Sequence, residues 1–348
     1  MHDFARRLRL VAALSILLAG SPAAFAATPD VVWTFAGMRD GRFSQDGTLF
    51  VALGNASSGG RLEVRGVGNG ALVTGVSNDI SFTAVAISSN NQLIAGATSR
   101  LTSTKRSTTI TRIVNVYRVL DGVLVRTIVT DADRDITSID FSPDSTLIAT
   151  MDRLSYGSGG RTRIYNVASG ALVRLLKAGS SSTAVRFSPN GQYLALNDSN
   201  ILTNGIIGGV RVVRVSDWTL AMTTGNGSRL VAWSGGGAAI WTKNNWDGSD
   251  SHAREVVVPT GAVAHDVVTR DYANVRDVSP DDRRLIADRA AAPQNVIAWI
   301  AVSDGSVPLA YQFDHNAFVS EISPDGSLFA FALVETDGRS VMVIARTP

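Results

Sequence analysis

The chain of 348 residues contains no cysteine and only four histidines. The lack of cysteine excludes disulfides, thiolate metal sites and a lipid-modified cysteine anchor. Beyond residue 26 the histidines are His252, His265 and His315, and none has the His-x-His or His-x3-His spacing that zinc sites use. No acidic loop has the alternating spacing of a dedicated calcium site. We therefore predict no bound metal and no other cofactor.

The short motifs of common catalytic sites are missing as well. The sequence has no Gly-x-Ser-x-Gly elbow, no P-loop and no Rossmann fingerprint. One glycine-rich segment, Gly66-Val-Gly-Asn-Gly70, invites comparison with a phosphate-binding loop. No helical pattern follows it, so a tight turn is the better interpretation. These absences predict a protein without catalytic residues.

Neither sign of charge is in excess once the N-terminus is set aside. The chain has 32 Lys and Arg against 30 Asp and Glu, and residues 1–26 carry three of the arginines and one aspartate. Residues 27–348 therefore carry 29 of each and are formally neutral, with no long basic run. This balance argues against a nucleic-acid partner.

The one strongly apolar run lies at the N-terminus and has the pattern of an export signal. Three arginines precede the run Leu10–Gly20, and Ala24 and Ala26 supply small residues before a cleavage site. The run is short for a bilayer-spanning helix, and no second one of about 18 residues follows. We predict a signal peptide at residues 1–26 and a periplasmic or secreted location. Residues 27–348 are then one domain without a transmembrane anchor.

A short phrase recurs through the chain, for example as Phe141-Ser-Pro-Asp-Ser145 and Ile322-Ser-Pro-Asp-Gly326. Its seven serines are Ser44, Ser88, Ser142, Ser188, Ser234, Ser279 and Ser323. Successive serines are 44 to 54 residues apart, and a period of about 40–50 residues is typical of a four-stranded propeller blade. The proline and the Asp or Asn favour a tight turn, in which Gly or a small polar residue takes the left-handed position.

Residues 136–177 show how one repeat forms a blade. Two short apolar strands flank the turn at Ser142, and the segment Arg161–Val167 alternates in polarity as a half-buried strand does. A tight turn at Ala168–Gly170 then leads to a fourth strand, Ala171–Leu176. We predict an all-β fold, a seven-bladed β-propeller of four-stranded antiparallel blades.

The two ends of the chain predict how the ring closes. The last repeat stops after its third strand, Ser340–Ala345, and the segment Asp30–Gly37 resembles the fourth strand of other repeats. An N-terminal strand that completes the C-terminal blade would bury two sheet edges that otherwise promote aggregation.

The turn phrase, together with strand pairs that end in Ser-Gly or Asp-Gly, resembles the WD-repeat β-propeller superfamily. The form is divergent and similar to the propeller of exported bacterial TolB-like proteins. The family's Gly-His is missing before the first strand, and in one repeat Tyr165 and Asn166 hold the place of its Trp-Asp. The resemblance covers nearly all of residues 30–348 and implies a scaffold that binds a partner.

The most variable segments predict where that partner binds. The second connection of each blade is long, for example Thr98–Thr109 and Asn197–Gly209, and it shares a face with the blade-to-blade linkers. The candidate partner-binding residues on this face are Arg100, Lys105, Arg106, Arg112 and Trp246. A solvated charged hairpin, and a tryptophan packed over the glycine-rich fifth repeat, are the alternative interpretations.

Charged residues at equivalent linker positions predict a polar channel mouth. They are Asp133, Arg134, Arg270, Asp271, Asp314 and His315. Ion pairs between neighbouring blades explain these residues equally well. Two functions therefore stay open. One is an exported, monomeric binding or scaffolding propeller whose partner is a protein or small ligand of the cell envelope. The other is a propeller hydrolase, lactonase or lyase that works at the channel mouth.

Overall fold

The computed structural model shows seven four-stranded antiparallel sheets arranged as the blades of a propeller, which confirms the predicted fold. It describes residues 28–54, 60–103, 108–130, 135–152, 161–177, 184–202, 205–225, 227–244, 251–269, 272, 274–289, 295–335 and 337–348. The elements formed by these residues are all strands. Within these ranges, no helix has the length and apolarity that crossing a bilayer requires.

Each blade contains four strands that follow one another from the propeller axis to the rim. Blade 1 contains β2 (Met38–Phe43), β3 (Leu49–Gly54), β4 (Gly60–Gly66) and β5 (Leu72–Asn78). Blade 2 contains β6 (Ala84–Ile87), β7 (Leu93–Ser103), β8 (Thr108–Arg118) and β9 (Leu124–Val129). Blade 3 contains β10 (Ile136–Phe141), β11 (Leu147–Asp152), β12 (Arg161–Asn166) and β13 (Leu172–Lys177).

The other blades repeat this order. Blade 4 contains β14 (Val185–Phe187), β15 (Tyr193–Leu202), β16 (Gly205–Arg214) and β17 (Leu220–Thr223). Blade 5 contains β18 (Ser228–Trp233), β19 (Ala239–Asn244), β20 (His252–Val257) and β21 (Val263–Val268). Blade 6 contains β22 (Asn274–Val278), β23 (Arg284–Asp288), β24 (Val296–Ala301) and β25 (Leu309–Gln312). Blade 7 contains β26 (Asn316–Ile322), β27 (Leu328–Val334), β28 (Ser340–Arg346) and β1 (Val31–Ala36).

Blade 7 joins the start of the propeller to its end. β1 pairs antiparallel with β28, from Val31 opposite Ala345 to Ala36 opposite Val341. The predicted pairing of these two segments is therefore confirmed. The outer strand of blade 7 thus comes from the segment that precedes blade 1. The ring can open at this seam only if the pairing of β1 with β28 is broken.

A buried serine explains why the turn phrase recurs. The Ser44 hydroxyl donates to the Asp46 carboxylate at 2.6 Å and accepts the backbone N–H of Leu49 at 3.0 Å. Six of the seven blades have both bonds at the equivalent serine. Blade 5 has the second bond, from Ala239 N, and Gly236 replaces the acid there. The serine thus satisfies a backbone donor that burial would otherwise leave unpaired.

The last residue of each serine turn has the predicted left-handed conformation. These residues are Gly47, Asn91, Ser145, Gly191, Gly237, Asp282 and Gly326, with φ between 55° and 72°. The segment considered as a phosphate loop is also a turn. Its Gly70 has a φ of 65°, and a Cβ there would lie 2.9 Å from the ring of Trp33. Glycine is therefore required at this position for conformation and for space.

The apolar core lies between adjacent blades. At the seam of blades 7 and 1, Phe35 from β1 meets Phe50 edge-on, with their ring centroids 6.4 Å apart. The Trp33 indole N–H donates to the Val67 carbonyl oxygen at 2.7 Å and ties β1 to the next blade. Each sheet is thus fixed by neighbours on two sides, which gives the loops at its ends a rigid base.

Two of the predicted long loops are mostly strand. In blade 2, β7 and β8 pair from Leu93 opposite Arg118 to Ser103 opposite Thr108. In blade 4, β15 and β16 pair along 10 residues each, whereas strands outside these two hairpins have 3 to 7. The segments are rich in β-branched residues, which favour strand pairing over loop conformations. We call residues 98–103 and 108–113 the blade 2 arm, and residues 198–202 and 205–209 the blade 4 arm.

Candidate functional site

The two ends of the propeller have different architecture. Strands alternate in direction, so the serine turns and the third connections lie at one end, which we call the turn face. The linkers and the second connections lie at the other end, the long-connection face. Its edge is marked by the last residues of five second strands, Gly54, Ser103, Asp152, Asn244 and Asp288. The two arms extend from this face.

The blade 2 arm presents apolar side chains to solvent. Leu101 stands directly opposite Ile110, and the two residues are 54% and 52% exposed. Side chains of opposed residues lie on the same side of a two-stranded ribbon, so these two form one apolar patch. Arg100 is exposed and lies on the other side of the ribbon, opposite Thr111. The arm thus combines an apolar anchor with a cation.

Arg112 has a different environment from Arg100. Its Nε lies 3.2 Å from Asp135 Oδ1, and its Nη1 donates to Ser99 Oγ at 2.7 Å. The Arg112 side chain is only 15% exposed. Because Asp135 directly precedes β10, this ion pair joins the base of the blade 2 arm to blade 3. In the structure, Arg112 therefore positions the arm.

Seven of the candidate residues lie outside the described part of the chain. They are Lys105, Arg106 and Trp246 of the partner-binding set and Asp133, Arg134, Arg270 and Asp271 of the channel mouth. Asp314 and His315 are described, and both are exposed in the linker between β25 and β26. Partner binding through Arg100, Arg112 and the other residues stays a prediction.

A cluster of charged residues that the sequence reasoning missed lies on the propeller axis. The residue two positions before each turn serine lies in the innermost strand of its blade. Because side chains alternate along a strand, this residue is on the side that faces the propeller axis. In blade order it holds Arg42, Ala86, Asp140, Arg186, Ala232, Asp277 and Glu321. We call the five charged residues the axial cluster. Arg42 Nη1 lies 3.4 Å from Asp140 Oδ1, two blades away, so these side chains reach across the channel.

Each carboxylate of the axial cluster also bonds to the next blade. Asp140 Oδ2 accepts the backbone N–H of Phe187 at 2.7 Å, and Asp277 Oδ2 accepts that of Ile322 at 2.7 Å. Glu321 Oε2 accepts the N–H of Phe43 at 2.8 Å, which links the last blade to the first. These bonds hold the inner strand edges together where no sheet ladder connects them.

Burial controls the protonation of the axial cluster. It is the main cause that raises the pKa of Asp277 to about 6 and that of Glu321 to about 8, and the charge of Asp277 contributes to the rise at Glu321. Burial, and then repulsion from Arg42, lowers the pKa of Arg186 to about 10. Asp277 and Glu321 therefore hold one proton between them near neutral pH. Burial also raises the pKa of Asp140, and the nearby Arg186 and Arg42 act in the opposite direction.

The chemistry available to the described residues is limited. Among them, no group of three or more His, Asp or Glu side chains is placed to hold a metal ion. His252 Nδ1 lies 2.6 Å from Asp266 and His265 Nδ1 lies 2.7 Å from Glu255, both on the outer strands of blade 5. Two of the three histidines in the described part of the chain thus contact carboxylates on the outer strands of blade 5, away from the axis.

One pattern in the sequence could have revealed the axial cluster. Five of the seven equivalent positions carry a formal charge inside a short apolar strand, as Asp140 does between Ile139 and Phe141. A charge repeated at one place in a buried strand indicates that those side chains meet. Their pairing across non-adjacent blades follows only from the three-dimensional ring.

Comparisons with known proteins agree with this geometry. The model of the WD domain, G-beta repeat family matches residues 122–166, which span β9 to β12. No curated protein matches the sequence significantly. The chain is a WD-repeat-like β-propeller.

Solved structures with the same fold have little sequence in common with the chain. The Cps50 (Swd1) β-propeller domain of Myceliophteria thermophila is 12% identical with a TM-score of 0.66, over 92% of this chain and all of that one. Hydrazine synthase of Kuenenia stuttgartiensis is 11% identical with a TM-score of 0.66, over 94% and 99%. A chain of the mitotic checkpoint complex is 13% identical with a TM-score of 0.68, over 96% and 99%. At these identities the similarity shows the fold alone.

Proposed function

We propose that this protein is an exported, non-catalytic scaffold that binds a partner on its long-connection face, with the blade 2 arm as the main contact. The single observation that carries the proposal is the opposed pair Leu101 and Ile110, each about half exposed at the end of a rigid hairpin. Apolar side chains raised above the surface in this way are typical of interaction sites.

The arm is well supported for this role. Its two strands continue the ladder of blade 2 without a break, and the ion pair of Arg112 with Asp135 fixes its base. A preorganised contact loses little conformational freedom on binding, which favours affinity. The same fold occurs in a chain of the mitotic checkpoint complex, which is a protein assembly by name.

Export is the second part of the proposal. It rests on the basic start, the apolar run Leu10–Gly20 and the small residues Ala24 and Ala26. Protein recovered from the periplasm or the medium is expected to begin at Ala27. N-terminal sequencing tests this, and a chain that still begins at Met1 outside the cytoplasm would contradict it.

The enzyme alternative receives less support. The hydrazine synthase match is an enzyme by name, but at 11% identity it carries the fold alone. The acids with raised pKa values, Asp277 and Glu321, accept backbone N–H groups of the next blade and therefore have a structural task. A structure in which Asp133, Arg134 and Asp271 together contact a bound substrate would support the enzyme alternative.

Capture from an envelope fraction tests the binding face. Replacing Arg100, Lys105 and Arg106 together with serine should reduce the amount of a specific partner captured, with the larger reduction at low salt because surface charges are then less screened. The matched control replaces two arginines of the turn face, Arg118 and Arg214, with serine. Unchanged capture by the arm variant and lost capture by the folded control would show that the binding face is wrong.

A further inference from the structure

Blade 5 places two positive charges directly opposite each other. Arg229 of β18 is in register with Lys243 of β19, so the two side chains leave the same side of the sheet. Like charges in opposed positions destabilise strand pairing. Both residues lie at the long-connection end of their strands. The pair therefore needs a negative charge to offset it.

Blade 6 adds a third cation at this place. Lys243 Nζ lies 3.5 Å from Asn274 Oδ1, so the lysine points toward the boundary between blades 5 and 6. Arg276 lies two residues after Asn274 in β22. Its Nε lies 2.7 Å from Asp288 Oδ2, and its Nη2 lies 3.3 Å from Asp288 Oδ1. Asp288 is buried, and Arg276 already occupies both of its oxygens. We call Arg229, Lys243 and Arg276 the blade 5–6 cations.

Among the described residues, the charge of Lys243 is poorly compensated. Burial, then Arg276, then Arg229 lowers the pKa of its ammonium group to about 8, and Asp288 acts in the opposite direction without restoring it. An ammonium group that lies among other cations and away from bulk water gains strongly from any anion that reaches it.

The equivalent residue of blade 4 shows that the fold does not require a cation here. Asn197 and Lys243 both stand nine residues after their turn serines. Asn197 Oδ1 accepts the backbone N–H of Leu230 from the next blade at 2.7 Å. A neutral amide is thus sufficient to join two blades at this position. The charge of Lys243 calls for another explanation.

We propose that the blade 5–6 cations bind an anionic oxygen group, the phosphate or carboxylate of a small-molecule ligand. Arg229 is exposed and the side chain of Arg276 is 38% exposed, so the group can be reached from solvent. Guanidinium groups match the geometry of such oxyanions, and the lysine supplies a point charge between them. The side-chain amide of Asn274 is a further donor. This site is independent of the arm and adds a ligand to a protein proposed to bind a partner.

Chemical labelling of Lys243 tests the site directly. The chain has only three lysines, Lys105, Lys177 and Lys243, so acetylation by an amine-reactive ester can be followed for each by peptide mass spectrometry. The pH dependence of the Lys243 rate should have its midpoint near 8. Inorganic phosphate, compared with sodium chloride at equal ionic strength, should raise that midpoint by about one unit and slow the reaction at neutral pH. The same measurement with acetate in place of phosphate tests whether the site binds a carboxylate.

Two variants separate binding from folding effects. Arg229→Gln should raise the Lys243 midpoint in the absence of phosphate, because a repelling charge is removed, and should shrink the phosphate-induced shift. Arg214→Gln, an exposed arginine on the turn face, should change neither value. If the midpoint responds to Arg229→Gln but neither phosphate nor acetate moves it beyond the chloride control, the site does not bind an oxyanion and the proposal is wrong.

Discussion

The junctions between blades are built in two different ways. Blade 6 joins blade 7, and blade 7 joins blade 1, through the carboxylates of Asp277 and Glu321 at the axis. The same position holds alanine in blades 2 and 5. In these two blades a neutral side chain donates to the next blade instead. Thr83 Oγ1 donates to the Ile136 carbonyl oxygen of blade 3 at 2.6 Å, and the Trp241 indole N–H donates to Asp282 of blade 6 at 3.0 Å.

This difference shows that one repeat can be joined to the next in more than one way. Two of the three carboxylate junctions lie next to the seam where β1 closes the ring, and Glu321 spans that seam itself. The third, from Asp140 to the Phe187 N–H, joins blades 3 and 4. A propeller whose first and last strands share a blade depends on this place more than on any other.

Removing β1 should have the largest effect. A chain that starts at Met38 lacks Trp33 and Phe35 and leaves the edge of β28 without a partner. The loss of a single buried aromatic side chain costs about 3–5 kcal/mol, and an open edge promotes aggregation. Size-exclusion chromatography should show oligomers or aggregates. A truncated protein that stays monomeric, with the melting temperature of the full chain, would contradict the role of the seam.

Truncating Glu321 should cost more than truncating a neutral junction. Glu321→Ala leaves the Phe43 N–H unpaired and removes the carboxyl group that faces Arg42 and Arg186. We expect a loss of about 2–3 kcal/mol of unfolding free energy, less than for a fully buried pair because Glu321 is only half-buried. Thr83→Val should cost about 1 kcal/mol. Equal losses in urea unfolding would show that the two kinds of junction do not differ.

The stability of the folded protein should fall as the pH rises through the neutral range. Folding raises the pKa of Asp277 from 3.8 to about 6 and that of Glu321 from 4.5 to about 8. The native state then binds more protons than the unfolded state, so the unfolding free energy decreases between about pH 5 and pH 8. We expect a decrease of about 1–3 kcal/mol, measured by urea unfolding. Glu321→Gln should remove the part of the decrease above pH 6, and an unchanged slope in this variant would contradict the assignment.

Changes in the blade 2 arm should have the smallest effect on stability. Leu101→Ser with Ile110→Ser removes two exposed side chains and should change the unfolding free energy by about 0.5 kcal/mol or less. Arg112→Gln should cost more than Arg100→Gln, because Arg112 is paired with Asp135 at the base of the arm. Thermal unfolding of the three variants checks this order, and a large loss for the double serine variant would show that the arm belongs to the core.

The fold could be predicted from the sequence because its signals are local. Six of the seven turn serines bond to residues two and five positions further on, as Ser44 does with Asp46 and Leu49, so the repeat reflects the geometry of one turn. The seam was also predictable, since β1 has the pattern of the strand that the last repeat lacks.

The axial cluster and the arms could not be predicted in the same way. Arg42 and Asp140 are 98 residues apart and meet only because a closed ring brings non-adjacent blades together. The arms were predicted as loops because charged and small polar residues such as Arg100 and Ser103 obscured the strand pattern. Register with the partner strand determines their structure, and a single sequence does not show that register.

The most direct test of the account is the affinity of the purified partner for two matched variants. One replaces Leu101 and Ile110 of the arm with serine, and the other replaces Leu124 and Leu172, which are 49% and 51% exposed on the outermost strands of blades 2 and 3. The account predicts a Kd at least about tenfold higher for the arm variant, a loss of about 1.4 kcal/mol of binding energy, and an unchanged Kd for the other. An unchanged Kd for the arm variant together with a weakened rim variant would contradict it.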